Sequence, residues 1–279
     1  MHYIQLDFRP TGGLTFRRMP GSILHIATYP FLPPSTMSGY LRRLLMLAKG
    51  YYPNTTVGDA PYYVLPWPLY HVLGAYPVPR HAYRVHITRR HGPKYQTKHT
   101  VFSKLVRVRP DRGGERNEQK LQLHTWEYLF VERLRGYVLS EESAALERLH
   151  SIVNLGSKVG KEGYAYVETI SDVRPLRRER VSAIPSVLTP ATELVGKPAD
   201  FVFLYRHALT DEKSNPIAGF GAIEDDEALA DVLSKLTDET PNPIAGFVPF
   251  WAGWPAEPVA LDYWTDGEVF FPVAVLEVL

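Results

Sequence analysis

The order of strand and helix patterns along residues 2–170 is the feature that most constrains the fold of this chain. Residues 2–9 alternate in polarity, which is typical of a strand. Ser35 follows two prolines and is a favourable N-cap, so a helix is predicted from there to Gly50. The apolar residues of that helix form one stripe: Met37, Tyr40, Leu41, Leu44, Leu45 and Ala48.

Further strands and a second helix follow. Residues 62–76 suit an irregular strand, and residues 121–139 suit two strands broken near Gly136. A helix capped by Ser140 then precedes a strand at residues 164–170. The order strand, helix, strand, strand, helix, strand is that of ferredoxin-like and RRM-like folds. The fold class is therefore predicted to be α+β.

A basic segment interrupts this pattern at residues 80–109. It holds nine Lys or Arg, four His and no acid. Its arms, residues 83–87 and 101–106, alternate as strands do, and a polar tip lies around Gly92–Pro93. The pattern predicts a long β-hairpin inserted into an RRM-like domain that spans residues 1–170.

The remaining residues, 171–279, are predicted to form an acidic, β-rich C-terminal lobe. The patterns favour a strand at 201–205, a short helix at 226–236 and a hairpin that turns at Asp266–Gly267. The hexapeptide Asn-Pro-Ile-Ala-Gly-Phe occurs at 215–220 and again at 242–247, which falls short of a solenoid repeat.

Charge is distributed very unevenly. The net charge is +13 over residues 1–110, zero over 111–190 and −12 over 191–279. Such asymmetry indicates a polyanionic partner at the basic end, where cations would contact phosphates. The acidic end is better suited to contact proteins.

Several classes are excluded or disfavoured. The chain has no cysteine, so it has neither disulfides nor thiolate metal sites. No apolar run reaches the length of a membrane span, and residues 1–7 read as a strand rather than a signal peptide. We expect a cytoplasmic protein with no membrane contact, no cofactor and no metal. The acids at 224–227 have no His spaced to share a metal with them.

The segment Phe16-Arg17-Arg18, followed by Tyr29-Pro-Phe-Leu-Pro-Pro-Ser-Thr-Met-Ser-Gly-Tyr-Leu-Arg-Arg-Leu-Leu, resembles the N-terminal signature of Cas5 proteins of the RAMP superfamily. Residues 156–163 resemble the RAMP glycine-rich loop, although Gly156, Gly160 and Gly163 include no Gly-x-Gly pair. The basic hairpin looks like the Cas5 thumb. The resemblance covers residues 1–170.

The resemblance implies an RNA-binding structural subunit of a type I, Cascade-like CRISPR surveillance complex in antiviral defence. Such a subunit caps the 5′ handle of the crRNA. Its partners would be a Cas7-like backbone subunit and a Cas8/Cas10-like large subunit, with target DNA reached only indirectly.

The RNA-binding candidates share a charge, a hydroxyl or a ring that can meet phosphate or base. They are Arg17, Arg18, Ser35, Thr36, Ser38, Arg42, Arg43, Arg84, Arg89, Arg90, Lys94, Tyr95, Lys98, His99, Lys158 and Lys161. Purely structural roles remain open for some of them: Ser35 only caps its helix, Arg42 and Arg43 only form a solvated helix face, and residues 156–163 only connect a helix to a strand.

Two other functions stay open. A metal-independent endoribonuclease that processes pre-crRNA needs a base, an acid and a cation, for which Tyr51, Tyr52, Lys98 and His99 are weak candidates. His25 resembles the general base of Cas6-type enzymes, although a lone His beside an apolar strand is more often structural. A protein-interaction adaptor working through the acidic lobe is the second alternative.

Overall fold

The computed structural model describes residues 1–18, 25–50, 65, 69–93, 121–207 and 247–278. Its strands are β1 (His2–Pro10), β2 (His25–Ile26), β3 (His71–Pro77), β4 (Tyr83–Pro93), β5 (Leu121–Val131), β6 (Leu134–Ser140), β7 (Gly156–Lys158), β8 (Tyr164–Ile170), β9 (Arg174–Pro175), β10 (Arg177–Ala183), β11 (Thr189–Pro190), β12 (Ala199–His207), β13 (Phe247–Pro255), β14 (Val259–Thr265) and β15 (Phe270–Pro272). Its α-helices are α1 (Pro34–Ala48), α2 (Ser143–Glu147) and α3 (Val273–Val278), and 3₁₀ turns span Arg148–Ile152 and Ala191–Leu194. The predicted mixture of helix and strand is confirmed, and strands predominate.

The central sheet has the order β3-β6-β1-β8-β7, and β9 also pairs with β1. Every pairing in this sheet is antiparallel. Four strands of this sheet and the helices between them follow one another along the chain as β1, α1, β3, β6, α2 and β8, and β4 and β5, which lie between β3 and β6, belong to another sheet. The strand predicted at residues 164–170 is β8, with the same bounds.

Both faces of the central sheet are covered. On one face, the stripe of α1 packs on β1, where Phe8 meets the Tyr40 ring at 6.0 Å. On the other face, Phe271 packs against the rings of Tyr3 and Tyr137 at 5.5 and 5.1 Å. Tyr3 also donates a 2.6 Å hydrogen bond to Asp266. Burial on both sides makes β1 the centre of the core, and the C-terminal residues supply one of its layers.

Asp7 is a buried carboxylate in this core, only 6% exposed, and Arg135 donates two hydrogen bonds to it at 2.9 and 3.1 Å. Asp7→Asn is expected to lower the free energy of unfolding by about 1.5–3 kcal/mol, since charged hydrogen bonds contribute that much. The more exposed Glu168, which pairs with Arg9, is the control, and Glu168→Gln should cost under about 1 kcal/mol. Urea denaturation of both variants measures the difference, and equal losses would contradict it.

The basic strand β4 has a different partner from the one that the sequence predicts, and we call β4 and β5 together the hairpin. β4 pairs with β5 in continuous antiparallel register from Tyr83 opposite Val131 to Pro93 opposite Leu121. The first arm is thus bonded to residues 121–131, and the predicted second arm at 101–106 lies outside the described residues. Gly92 and Pro93 belong to the strand and not to a tip. The expected break near Gly136 falls instead at residues 132–133, between β5 and β6.

Gly136 lies inside β6, at a point where the strand faces α1. A Cβ there would come within 2.6 Å of the Met37 side chain and 2.9 Å of the Phe8 ring. The glycine therefore allows the close approach of helix and sheet, and it does not mark a turn.

Two predicted helix caps are corrected. α1 begins at Pro34 with Pro33 as its N-cap residue, so Ser35 lies in the first turn and forms no side-chain cap. Proline is favourable at the first position of a helix because an N–H there would have no partner within the helix. The second helix begins at Ser143 rather than at Ser140, whose hydroxyl accepts a 3.0 Å hydrogen bond from the Glu142 N–H. The predicted end of α1 before Gly50 is confirmed, with φ +75° at that glycine.

The C-terminal residues contain two small sheets, β10-β14-β15 and β11-β13-β12. The predicted strand at 201–205 falls within β12, and the predicted hairpin is β14 and β15 with Gly267 in its turn at φ +98°. The predicted helix at 226–236 and the first repeat lie outside the described residues. The boundary at residue 170 stays a prediction, as described core residues on both sides of it form one cluster.

Within the parts of the chain that the structure describes, no helix is both long and apolar enough to cross a membrane.

Candidate nucleic-acid interface

Side chains from β4, β5 and the loop after β7 meet on one face of the hairpin. We call this the basic–aromatic face and define it by Arg90, Trp126, Tyr128, Lys161 and Glu162. The register places Thr88 opposite Trp126, so the even-numbered residues of both strands share this face. Two strands and one loop thus bring together residues that are 72 positions apart in the sequence.

Arg90 lies over both rings of the face. Its guanidinium carbon is 5.1 Å from the centre of the Trp126 ring and 5.2 Å from that of Tyr128. The two rings stack at 6.5 Å with 19° between their planes. The Lys161 ammonium is 6.0 Å from the Trp126 ring. Cations held over aromatic faces can bind phosphate on one side while the rings offer their surfaces to bases.

Glu162 is the one acid among these five residues. It accepts a 2.8 Å hydrogen bond from the Tyr128 hydroxyl and pairs with Arg90 at 3.4 Å. Arg90 also donates to the Tyr128 hydroxyl oxygen. Burial and the bond to Glu162 raise the pKa of Tyr128 to about 12, although Arg90 opposes this. Tyr128 therefore stays protonated at neutral pH and acts as a donor.

Lys161 belongs to a wider group of cations. Partial burial lowers the pKa of its ammonium, and the charges of Arg17 and Lys158 lower it further, while Glu162 opposes them. Three cations close enough to repel one another favour an anion that neutralises them. Of the sequence candidates, Arg17 and Lys158 thus act on Lys161, and Arg90 shares the Trp126 ring with it.

The glycine-rich loop is held in place by the start of the chain. The Lys161 N–H donates to the Thr15 carbonyl at 2.8 Å, and the Thr15 N–H donates to the Glu162 carbonyl at 2.9 Å. Gly160 has φ +67°, and a Cβ there would lie 2.7 Å from the Thr15 carbonyl oxygen. The glycine is needed for this close backbone contact, which presents Lys161 to the hairpin.

The two adjacent hairpin arginines point to opposite faces. Arg90 lies opposite His124 and joins the basic–aromatic face, whereas Arg89 lies opposite Thr125 and is exposed on the other face. Sequence reasoning gave both the same role. The pleat of β4 separates them, so the structure leaves Arg89 outside this group.

The remaining candidates are scattered. Arg18 is exposed and donates to the Thr28 carbonyl at 2.9 Å. Arg84 is exposed at the base of the hairpin, and Arg43 is exposed on α1. The side chain of Arg42 is half-buried, and its Nε has no hydrogen-bond partner among the described residues. No described ion pair or ring contact joins Arg42 or Arg43 to the basic–aromatic face.

The hydroxyl candidates at the start of α1 are less accessible than expected. Ser38 is 8% exposed and accepts a 3.0 Å hydrogen bond from the Leu65 N–H. That bond gives Ser38 a structural role. Ser35 and Thr36 are half-buried and stay predictions. Several candidates lie outside the described residues: Tyr51, Tyr52, Lys94, Tyr95, Lys98 and His99.

His25 is engaged by a carboxylate. Its Nε2 lies 2.9 Å from Glu127, which also accepts a 3.0 Å hydrogen bond from the Thr28 N–H. These contacts tie β2 to β5, in agreement with the structural alternative for this His. Among the described residues, no three His, Asp or Glu side chains cluster closely enough to hold a metal ion.

Sequence reasoning missed Trp126, Tyr128 and Glu162 as site residues. The available signal was the spacing of Trp126, Tyr128 and Phe130, which places three aromatic side chains on one face of a strand. The sequence alone indicates only that these aromatic residues favour a strand, because it does not show which strand pairs with β4.

No protein-family model and no curated protein matches the chain. Solved structures include distant neighbours. A chain of a type III-B Cmr-beta complex bound to cognate target RNA and AMPPnP is 12% identical, with 92% of this chain and 86% of that chain covered at a TM-score of 0.42. A CRISPR protein from Archaeoglobus fulgidus is 10% identical, with 97% and 98% covered at 0.41. A chain of a second Cmr-beta structure bound to cognate target RNA is 13% identical, with 92% of this chain and 86% of that chain covered at a TM-score of 0.33.

With identities this low, the function of the basic–aromatic face rests on its own geometry and charge. Glu162 is the residue of that face that opposes an anion. Glu162→Gln is expected to tighten RNA binding about fivefold, since two charges about 4 Å apart interact by about 1 kcal/mol even in water. Fluorescence anisotropy with a labelled single-stranded RNA measures the change.

The control is Glu141→Gln, which removes an equal charge from an exposed residue before α2. It should leave affinity within about twofold, as salt screens charges beyond about 10 Å. An unchanged affinity for Glu162→Gln would show that phosphate does not approach this carboxylate.

Proposed function

We propose that this chain is an RNA-binding structural subunit of a CRISPR effector complex and that the basic–aromatic face holds the RNA. The observation that carries the proposal is the packing of Arg90 over the Trp126 and Tyr128 rings beside Lys161. Cations give phosphate contacts, and rings give stacking surfaces for bases. Core packing does not account for this arrangement, since Arg90 is exposed and the two rings are only half-buried.

The chemistry of this face favours unpaired RNA over a duplex. Bases in a duplex are stacked on each other, and their faces are closed to protein side chains. Trp126 and Tyr128 therefore contribute only when a base is unstacked. Four cations, Arg17, Arg90, Lys158 and Lys161, would contact phosphates of the same strand.

The finer part of the proposal is the family. A Cas5-like subunit would have a ferredoxin-like or RRM-like RAMP domain at residues 1–170, and the strand and helix order of the central sheet supports this. It would hold the 5′ handle of the crRNA in a type I, Cascade-like complex. Its partners would be a Cas7-like backbone subunit and a Cas8/Cas10-like large subunit, for which the acidic residues 171–279 offer a protein-facing surface. A type III-B assembly is the alternative setting for the same role.

The test uses the purified chain, EDTA and a labelled single-stranded RNA that begins with a repeat-derived tag. A scrambled strand and a duplex are the controls. We expect binding to the single strand, intact RNA on a denaturing gel and a log–log salt slope of about −3, since each neutralised phosphate of a single strand contributes about −0.7. Preference for the tag over the scrambled strand would support the handle assignment.

Absence of binding at low salt, or equal binding of duplex and single strand, would overturn the proposed role of the rings. Cleavage at one position would instead favour the endoribonuclease alternative and direct mutagenesis to Tyr51, Tyr52, Lys98 and His99. The adaptor alternative predicts no RNA binding together with capture of a partner subunit through residues 171–279.

A further inference from the structure

A groove lies at the base of the hairpin, at the opposite end of β4 and β5 from Arg90. Its volume is about 670 Å³, within the range of about 300–1,000 Å³ of ligand sites. Two exposed side chains that face each other across the strands line it: Arg84 and Phe130, the latter 46% exposed. The other lining residues are Pro10, Thr11, Gly12, His81, Ala82, Tyr83, Val131 and Glu132.

The groove continues the basic–aromatic face. Alternate residues of a strand lie on one side, so Trp126, Tyr128 and Phe130 share one face, with successive Cα atoms about 6.8 Å apart. The Phe130 ring itself packs edge-on against His86, with 6.3 Å between the ring centres. The first two rings are 6.5 Å apart and nearly parallel. Opposite them, β4 presents Arg84, His86, Thr88 and Arg90 on the same side. A cation therefore lies at each end of a row of three rings.

Gly13 fixes the geometry at the groove end of the row. A Cβ on Gly13 would lie 2.9 Å from the Phe130 ring and 3.1 Å from the Tyr128 Cβ. The backbone of residues 11–13 thus runs directly against these two aromatic residues. The same turn is bonded to the start of β8, directly after the glycine-rich loop: the Thr11 N–H donates to the Tyr164 carbonyl at 3.0 Å. The backbone of residues 11–13 consequently positions the groove end of the row.

We propose that Trp126, Tyr128 and Phe130 stack three successive bases of one unpaired RNA strand and that the groove takes the third nucleotide, with Arg84 on its phosphate. This inference rests on the proposed function and extends its site from two rings to three. Successive bases of a single strand can stack on successive rings without sequence preference. Glu132 repels phosphate, so the phosphate lies on the Arg84 side of the groove and the base amino or imino groups face Glu132.

Two variants on the row and two matched controls on the other face test the proposal. Phe130→Ala and Arg84→Ala remove the groove contacts. Ile87→Ala and Arg89→Ala remove an exposed apolar side chain and an exposed cation from the opposite face of β4. Anisotropy is measured with oligouridines of two and six nucleotides, together with the melting temperature of each variant.

Phe130→Ala is expected to weaken six-nucleotide binding by about fivefold or more, the low end of the loss for one stacked base. Phe130→Tyr keeps the ring and should bind as the wild type does, which separates stacking from loss of fold. Arg84→Ala should also weaken the six-nucleotide complex. For the two-nucleotide strand, which spans only Trp126 and Tyr128, Phe130→Ala should make no difference.

Unchanged six-nucleotide affinity in Phe130→Ala and Arg84→Ala, with a loss in Arg90→Ala, would overturn the three-ring row and leave the proposed function standing. Equal losses in the variants and in the controls Ile87→Ala and Arg89→Ala would also overturn it. If the wild type binds neither strand, the proposed function fails, and this inference fails with it.

Discussion

Arg90→Ala is expected to weaken single-stranded RNA binding about tenfold to a hundredfold, because a charged hydrogen bond contributes about 1.5–3 kcal/mol. Arg90 is the residue that lies over both Trp126 and Tyr128. Its removal loses a phosphate contact and the cation that orders the two rings. The salt slope should become less negative by about one phosphate's share, or about 0.7.

The matched control is the neighbouring residue. Arg89→Ala removes the same charge from the same strand, one residue away, but from the opposite face of the hairpin. The affinity of Arg89→Ala for RNA should stay within about twofold of the wild type, because salt screens exposed charges that point away from the bound RNA. Equal losses for the two variants would mean that bulk charge, not the face, determines binding. Circular dichroism and melting curves of both proteins establish that the fold is kept.

Gly163→Ala is expected to lower the free energy of unfolding by about 2–6 kcal/mol, the combined range for a strained backbone and an overpacked contact. Gly163 has φ +115°, and a Cβ there would lie 2.5 Å from Leu14 Cδ2 and 2.8 Å from the Gly13 carbonyl oxygen. For a chain of this size the melting temperature should fall by about 4–24 °C. RNA affinity should fall as well, since the loop that carries Lys161 and Glu162 must move.

Gly12→Ala is the control for this prediction. Gly12 directly precedes Gly13, whose carbonyl oxygen Gly163 approaches. Gly12 is exposed and has no heavy atom within 4 Å of the position that a Cβ would take. Its melting temperature should stay within about 2 °C of the wild type, since surface substitutions usually change stability by less than about 0.5 kcal/mol. A Gly163→Ala protein as stable as Gly12→Ala would show that the loop does not press on residues 13–14.

The sequence predicted the elements that local patterns determine. The apolar stripe of α1, the strand at 164–170 and the hairpin at Asp266–Gly267 each have a signal contained in fewer than twenty residues. The structure confirms the strand and the hairpin, and it buries the α1 stripe from Met37 to Leu44, whereas Ala48 is exposed. Helix starts were less accurate, because Ser35 and Ser140 both look like caps, while Pro34 and Ser143 begin the helices.

Strand pairing could not be predicted from local pattern alone. The arm Tyr83–Ile87 alternates equally well against 101–106 or 121–131, and only tertiary packing decides between them. Leu129 is fully buried and exchanges two backbone hydrogen bonds with Leu14. That contact anchors β5 in the body of the protein, and so it fixes the partner of β4.

The sequence candidates include the basic members of the proposed site but not its aromatic members. Arg17, Arg90, Lys158 and Lys161 are candidates because they are basic, and in the structure Arg90 and Lys161 share the Trp126 ring. Whether Arg89 or Arg90 joins them depends on register, which decides the face of each side chain. The aromatic half of the site depends on the same register.

The most direct measurement is ultraviolet cross-linking of the full chain to a six-nucleotide single-stranded RNA, followed by mass spectrometry of the cross-linked peptides. If the basic–aromatic face holds the RNA, cross-links should concentrate at Trp126 and Tyr128 on β5 and in residues 156–163, and Arg90→Ala should reduce them. Tight binding with cross-links only at other surfaces, such as the exposed Phe201 and Trp251 of β12 and β13, would contradict the assignment of this face to RNA.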